Sequence, residues 1–202
     1  APRIWAECSK IVLADAKYQT PGGHARAMQV LDVSGVLYQL IPELKEGKGV
    51  TQNQIYHAFD VLGHNLAAYN ASPPEAALRW SALLHDCGKP ACKRAPEKGT
   101  AHFHGDASES EQPAGMILKR LRFPNRDSDR VCSLIRYHGE ALPLPEKRLK
   151  KLLGEFGGDW VFELFSLMRA NLAGQDTNRL EEHLTALRDS QELAETILSR
   201  QD

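Results

Sequence analysis

No charge of one sign dominates this chain. It carries 25 Lys and Arg against 26 Asp and Glu, so no global field directs it toward nucleic acid, and none forbids it. Cysteine is scarce: four among 202 residues, at Cys8, Cys87, Cys92 and Cys132. No CxxC or paired zinc spacing occurs. That argues against a disulfide framework, and the expectation is free thiols in a reducing cytoplasm. No apolar run is long enough to span a bilayer and no segment reads as a signal peptide, so no membrane partner is expected. Strand-like alternation, internal repeats and low-complexity tracts are lacking as well, and nothing supports a Ser or Cys nucleophile with its base. The chain begins Ala1-Pro2 rather than with Met, and it is expected to be part of something longer.

What remains is helical periodicity. The chain is 42% hydrophobic and 25% charged, ordinary for a globular protein, and nearly every periodic segment has the helical spacing of apolar positions. Helices are expected over residues 3–17, 24–40 (with Gly35 as a weak point) and 52–69. A further one is capped by Ser72 and ends at His85-Asp86. Others start at Ser108 or Ser110 and cover 126–137, 147–156, 160–172 and 180–199. Residues 41–44 lead into a loop, and an extended piece is expected near 100–103. The fold class is all-α, a multi-helix bundle. Its expected organisation is a helical lead-in (1–50), a main helical domain (51–176) and a C-terminal helix that packs back on the core (177–202).

The most informative segment is Leu83-Leu84-His85-Asp86-Cys87-Gly88-Lys89-Pro90. A His-Asp pair at a helix end is also what a plain helix C-terminus looks like. Here the helix before it, residues 76–84, is apolar on most faces and reads as buried. A buried His-Asp pair needs partners, and a divalent cation supplies one. Imidazole and carboxylate together suit Mn, Fe, Co, Ni or Zn. Gly88 gives the chain an exit from the helix. Lys89 can face a phosphate as a point charge. Further ligands must come from other helices. His57, Asp60 and His64 fall at i, i+3 and i+7 and share a face if the 52–69 helix is continuous. His64 is the best candidate ligand, and His57 is either a supporting or a substrate-facing group.

An ordered set of motifs extends this pair. It runs Leu40-Ile41-Pro42-Glu43-Leu44, Tyr56-His57-Ala58-Phe59-Asp60-Val61-Leu62-Gly63-His64, the His85-Asp86 segment, His102-Phe103-His104-Gly105-Asp106, Leu118 through Asn125, and Ile135-Arg136-Tyr137-His138. With these the chain resembles the HD superfamily, and in detail the HD-containing C-terminal half of bacterial CCA-adding enzymes and related poly(A) polymerase-like tRNA nucleotidyltransferases. The resemblance implies an HD-type bundle in which His64, His85 and Asp86 hold a divalent metal (Mn, Co, Ni, Fe, Zn or Mg) and Lys89 approaches substrate phosphate. Two positions depart from the pattern. Asp106 stands where a His is usual, and Asn171 stands where the last metal-binding Asp is expected. A neutral amide binds a divalent ion more weakly than a carboxylate does, and Asp106 could restore the missing charge. His138 matches one member of a late His pair.

The function implied is a metal-dependent phosphohydrolase acting on nucleotide or RNA-end phosphates, phosphomonoesters or 2′,3′-cyclic phosphates. Asp86 would orient the attacking water, and Lys89, His57, His104, Arg136 and His138 would meet the substrate. The alternative is a non-catalytic body that binds tRNA with a weakened metal site, and a weaker option is a nucleotide sensor without turnover. Nucleotide addition itself would need a sheet with paired carboxylates after a Gly-Ser turn, which this sequence lacks, so that chemistry would lie upstream of Ala1. Two basic stretches, Lys119, Arg120, Arg122, Arg126, Arg130 and Lys147, Arg148, Lys150, Lys151, are either RNA-backbone contacts or solvated helix faces.

Overall fold

The structure, a computed structural model, describes residues 2–50, 59–93, 106–175 and 179–200. Among these it is all-α, with no β-strand. The first helices are α1 (Pro2–Val12), α2 (Ala14–Tyr18), α3 (Gly23–Val33), α4 (Val36–Leu40) and α5 (Pro42–Glu46). Two helices read from the sequence as continuous are broken. The first breaks at Leu13. The second breaks at Gly35, whose φ of 76° is left-handed and favours glycine. The segment expected to lead into a loop at 41–44 is mostly α5, because Pro42 sits at a helix start, where its missing N–H costs nothing.

The remaining helices are α6 (Val61–Ala71), α7 (Ala76–Leu84), α8 (Lys89–Lys93), α9 (Asp106–Arg120), α10 (Asn125–Tyr137), α11 (Glu146–Phe156), α12 (Gly158–Ala173) and α13 (Leu180–Ser199). Central α7 is buried from Leu78 to Leu84. It packs against α6, α10 and α12, while α9 lies on α10. Each fully buried leucine here stabilises the fold by roughly 1.5–3 kcal/mol. Trp80 of α7 meets Phe123 edge-on at 5.0 Å, and Phe123 meets Trp5 of α1 at 5.9 Å. The last helix lays Leu187, Ala194 and Ile197 into the core and packs on α11 and α12.

Two readings of helix ends are corrected. Asp60 does not share a helical face with His64. Its backbone is extended, and its carboxylate accepts the N–H groups of Gly63 (2.7 Å) and Gly49 (2.7 Å), so it caps α6 instead. The continuous helix over 52–69 therefore does not extend through Asp60. Ser72 does not cap α7; it ends α6, its hydroxyl donating to the Ala68 carbonyl. The start of α9 is Asp106 rather than Ser108 or Ser110. The extended piece expected near 100–103 lies outside the described residues.

A buried ion pair ties the first helices to the core. Arg79 of α7 is 1% exposed. Its guanidinium spans both carboxylate oxygens of Asp15 and donates to the carbonyls of Val12 and Ser72. A buried guanidinium is tolerable only with such a full set of acceptors.

Candidate metal centre

Four helices and one turn deliver the polar groups of the site. His64 projects from α6. His85 and Asp86 occupy the turn that follows α7, and Lys89 opens α8. His138 ends α10, and Asn171 lies in the last turn of α12. His64 and Asp86 are 1% exposed, His85 is 0% and His138 is 7%.

The imidazoles are oriented by backbone carbonyls, which can only accept. The Nδ1–H of His64 donates to Gly174 (3.0 Å), that of His85 to Ala82 (2.8 Å) and that of His138 to Ile135 (2.6 Å). In the neutral rings each Nε2 then carries a lone pair. These atoms converge on one carboxylate. Asp86 Oδ2 lies 3.7 Å from His64 Nε2 and 3.4 Å from His85 Nε2, and Oδ1 lies 3.9 Å from His138 Nε2. The Lys89 ammonium stands 2.8 Å from Oδ2 as an ion pair. Among the described residues, His85 Nε2 and both Asp86 oxygens have no aligned hydrogen-bond donor or acceptor.

Burial pushes the His85 imidazole down to about 3, so it is neutral at physiological pH. Burial lowers His138 as well. Burial opposes the charge of Asp86, but the facing His85 and the Lys89 ammonium outweigh it and hold the carboxyl below the ordinary carboxylate range.

These residues fit a divalent cation. One donor atom each from His64, His85 and Asp86 lie within 4.8 Å of one another. Orphaned buried polar atoms are costly, and a cation would satisfy all three at once. Asn171 Oδ1 sits 2.8 Å from His64 Nε2. With Nδ1–H committed to Gly174, that places two lone pairs face to face, an arrangement a shared cation relieves. The backbone carbonyls behind the rings are the outer support that metal-binding histidines usually have.

The other expected site residues fall elsewhere. Arg136 is exposed, pairs with Glu111 at 3.7 Å and lies over the Tyr137 ring, so its side chain is on the surface of α10 rather than in the buried cluster. His57 and His104 lie outside the described residues, as does the side chain of Asp106, whose backbone opens α9. Gly88 does not act as a left-handed helix exit. It is needed because α9 passes so close that a Cβ would sit 2.4 Å from the Glu109 carbonyl oxygen. The Ser110 hydroxyl accepts the Gly88 N–H at 3.1 Å. Sequence reasoning missed Ser110, and it missed Gly174, where a Cβ would stand 2.5 Å from His64 Nδ1. The only sequence signal at Gly174 is a glycine after a helix, which marks a helix end and nothing more.

Residues 55–192 match the family model described as HD domain. Among known proteins, the chain is 34% identical over 73% of its length to an A-adding tRNA nucleotidyltransferase of Deinococcus radiodurans, covering 35% of that protein. It is 34% identical over 63% of its length to a CC-adding tRNA nucleotidyltransferase of Thermus thermophilus, covering 30% of it. A multifunctional CCA protein of an Azoarcus species is 29% identical over 83% of the chain, which covers 40% of that relative. The chain thus spans about a third of the length of the relatives it matches. With the family pattern matched over more than half of its residues, around the same His-Asp pair that forms the buried cluster, the chain belongs to the HD domain family.

Proposed function

We propose that this chain is the HD portion of a tRNA nucleotidyltransferase-like protein and that its buried cluster is a metal-dependent phosphohydrolase site for nucleotide or RNA-end phosphates. The observation that carries this reading is the set of unpartnered donors on His85 and Asp86, closed in by His64 and Asn171 and flanked by Lys89. When bound there, the cation supplies Lewis acidity toward a phosphoryl oxygen and acidifies water.

The chain's own residues do the rest. His64, His85, Asp86 and Asn171 would hold the cation. The mouth of the site lies toward Lys89, whose side chain is 23% exposed, and His138. Lys89 brings positive charge to the phosphate oxygens. Asp86 orients the attacking water. His138 Nε2 takes the water's proton and returns it to the leaving oxygen. Lys119, Arg122, Arg126, Lys147 and Lys151 are exposed and form no ion pair among the described residues, which suits an RNA backbone. Arg120, Arg130, Arg148 and Lys150 are engaged with Glu43, Glu163, Glu140 and Glu146.

A second reading, a tRNA-binding body without turnover, is favoured by one feature: Asn171 brings no charge to the centre. Phosphate release from 2′,3′-cyclic nucleotides and nucleoside monophosphates, measured with Mn, Co, Ni or Zn added, separates the two. The hydrolase reading expects turnover that falls about a hundredfold or more in Asp86→Asn. No turnover with any of these ions, or turnover equal in the variant, would leave the binding body.

A further inference from the structure

The donors around Asp86 differ in kind from those that hard cations require. Mg binds through oxygen, with carboxylates to offset its charge, and Mn also favours carboxylate and carbonyl oxygen. Here two imidazole nitrogens, His64 Nε2 and His85 Nε2, meet the single carboxylate Asp86. The remaining oxygen donor is the neutral amide of Asn171, 2.8 Å from His64 Nε2. The one negative charge is already opposed by the Lys89 ammonium at 2.8 Å. The carboxylate and ammonium cancel, so the described groups of the centre carry no net charge. Affinity must then come from nitrogen coordination rather than from charge attraction. The rings are held ready for it, each pinned by a backbone carbonyl, which makes imidazole a better-oriented donor.

We infer that this centre, through the neutral amide of Asn171 and the Lys89–Asp86 pair, selects nitrogen-preferring ions such as Co, Ni and Zn and discriminates against Mg and Mn. The inference rests on the proposed metal site and names the ion class it takes. Asn171 sets the selectivity. Lys89 lowers affinity for every cation alike, because it competes for the same carboxylate oxygen.

Dissociation constants for Zn, Co, Ni, Mn and Mg, measured by calorimetry on metal-stripped protein, test this without reference to activity. Wild type should bind Co, Ni and Zn at least about tenfold more tightly than Mn, with Mg weaker still. Asn171→Asp should tighten Mn by about tenfold or more and Zn by less. Lys89→Gln should tighten all five ions by similar factors. The d–d absorption of the Co-loaded protein should disappear in His85→Ala, tying the ion to this centre.

Three results overturn the inference while the metal site stands: Mn binding wild type as tightly as Co, Asn171→Asp leaving the order of affinities unchanged, or Lys89→Gln changing the order rather than the level. If no ion binds wild type or Asn171→Asp, the metal site itself fails and the inference falls with it. If Asn171→Asp alone binds metal, the amide has abolished the site in the native chain, and both readings are overturned.

Discussion

Two glycines and an ion pair carry the tightest constraints at the scale of single residues. Gly174 supplies both the carbonyl that pins His64 and the space its ring occupies, since a Cβ would come within 2.5 Å of Nδ1. Gly174→Ala is expected to displace the ring, cost about 1–3 kcal/mol and lower metal affinity. Chemical denaturation and metal titration of the same sample check the two effects together. Gly88→Ala drives a methyl against backbone rather than against a flexible side chain. It should destabilise by a comparable amount, seen as a lower Tm. The Asp15–Arg79 pair gives a pH signature. Hydrogen bonding by Arg79 holds the Asp15 carboxyl below the ordinary carboxylate range. Asp15 binds its proton more readily in the unfolded chain than in the folded one. Its contribution is therefore fully present above an unfolded value of about 3.9 and is lost as pH falls from there toward the depressed folded value. Asp15→Asn should flatten that part of the acid limb in thermal melts between pH 5 and pH 2 while lowering Tm at pH 7. Equal acid sensitivity in the two proteins would contradict the assignment.

Among the elements, α6 shows how far periodicity reaches and where it stops. Apolar spacing alone supports a helix through His64, and such a helix is there. Its start is set by a side chain that reads equally well as a ligand: Asp60 accepts Gly49 and Gly63 N–H groups instead of facing the cluster. Asp60→Ala should cost about 0.5–2 kcal/mol with metal binding per folded molecule unchanged, which denaturant midpoints and metal titration would show. Helix α7 was legible because a nearly all-apolar stretch ending in His-Asp has few uses besides burial. The meeting of His64, His85 and Asp86 was legible from the motifs. Ser110 and Gly174 were not, because they act through a backbone approach and a carbonyl, which leave no mark on residue type. The breaks at Leu13 and Gly35 are tertiary choices. The first helices turn to pack on the core, and Arg79 reaches across to hold Asp15 and Val12 there.

At the scale of the whole molecule, the bundle works as a frame that keeps costly groups where a cation would satisfy them. Core helices α6, α7, α10 and α12 each end or pass at the cluster. Such a frame spends stability on orphaned atoms unless they are used, and occupancy should return it. Thermal unfolding with and without saturating Co or Zn should therefore show a higher Tm in the loaded protein. Among the described residues no helix is long and apolar enough to cross a membrane, and all four cysteines are free thiols. The central claim is that His64, His85 and Asp86 hold a divalent ion. Its most direct test is the metal content, by mass spectrometry, of protein purified without chelator or an affinity metal column, beside a His85→Ala/Asp86→Ala double variant. Near-stoichiometric transition metal that vanishes in the variant is the predicted result. Metal-free wild-type protein that stays metal-free after incubation with Mn, Co, Ni or Zn would contradict the account.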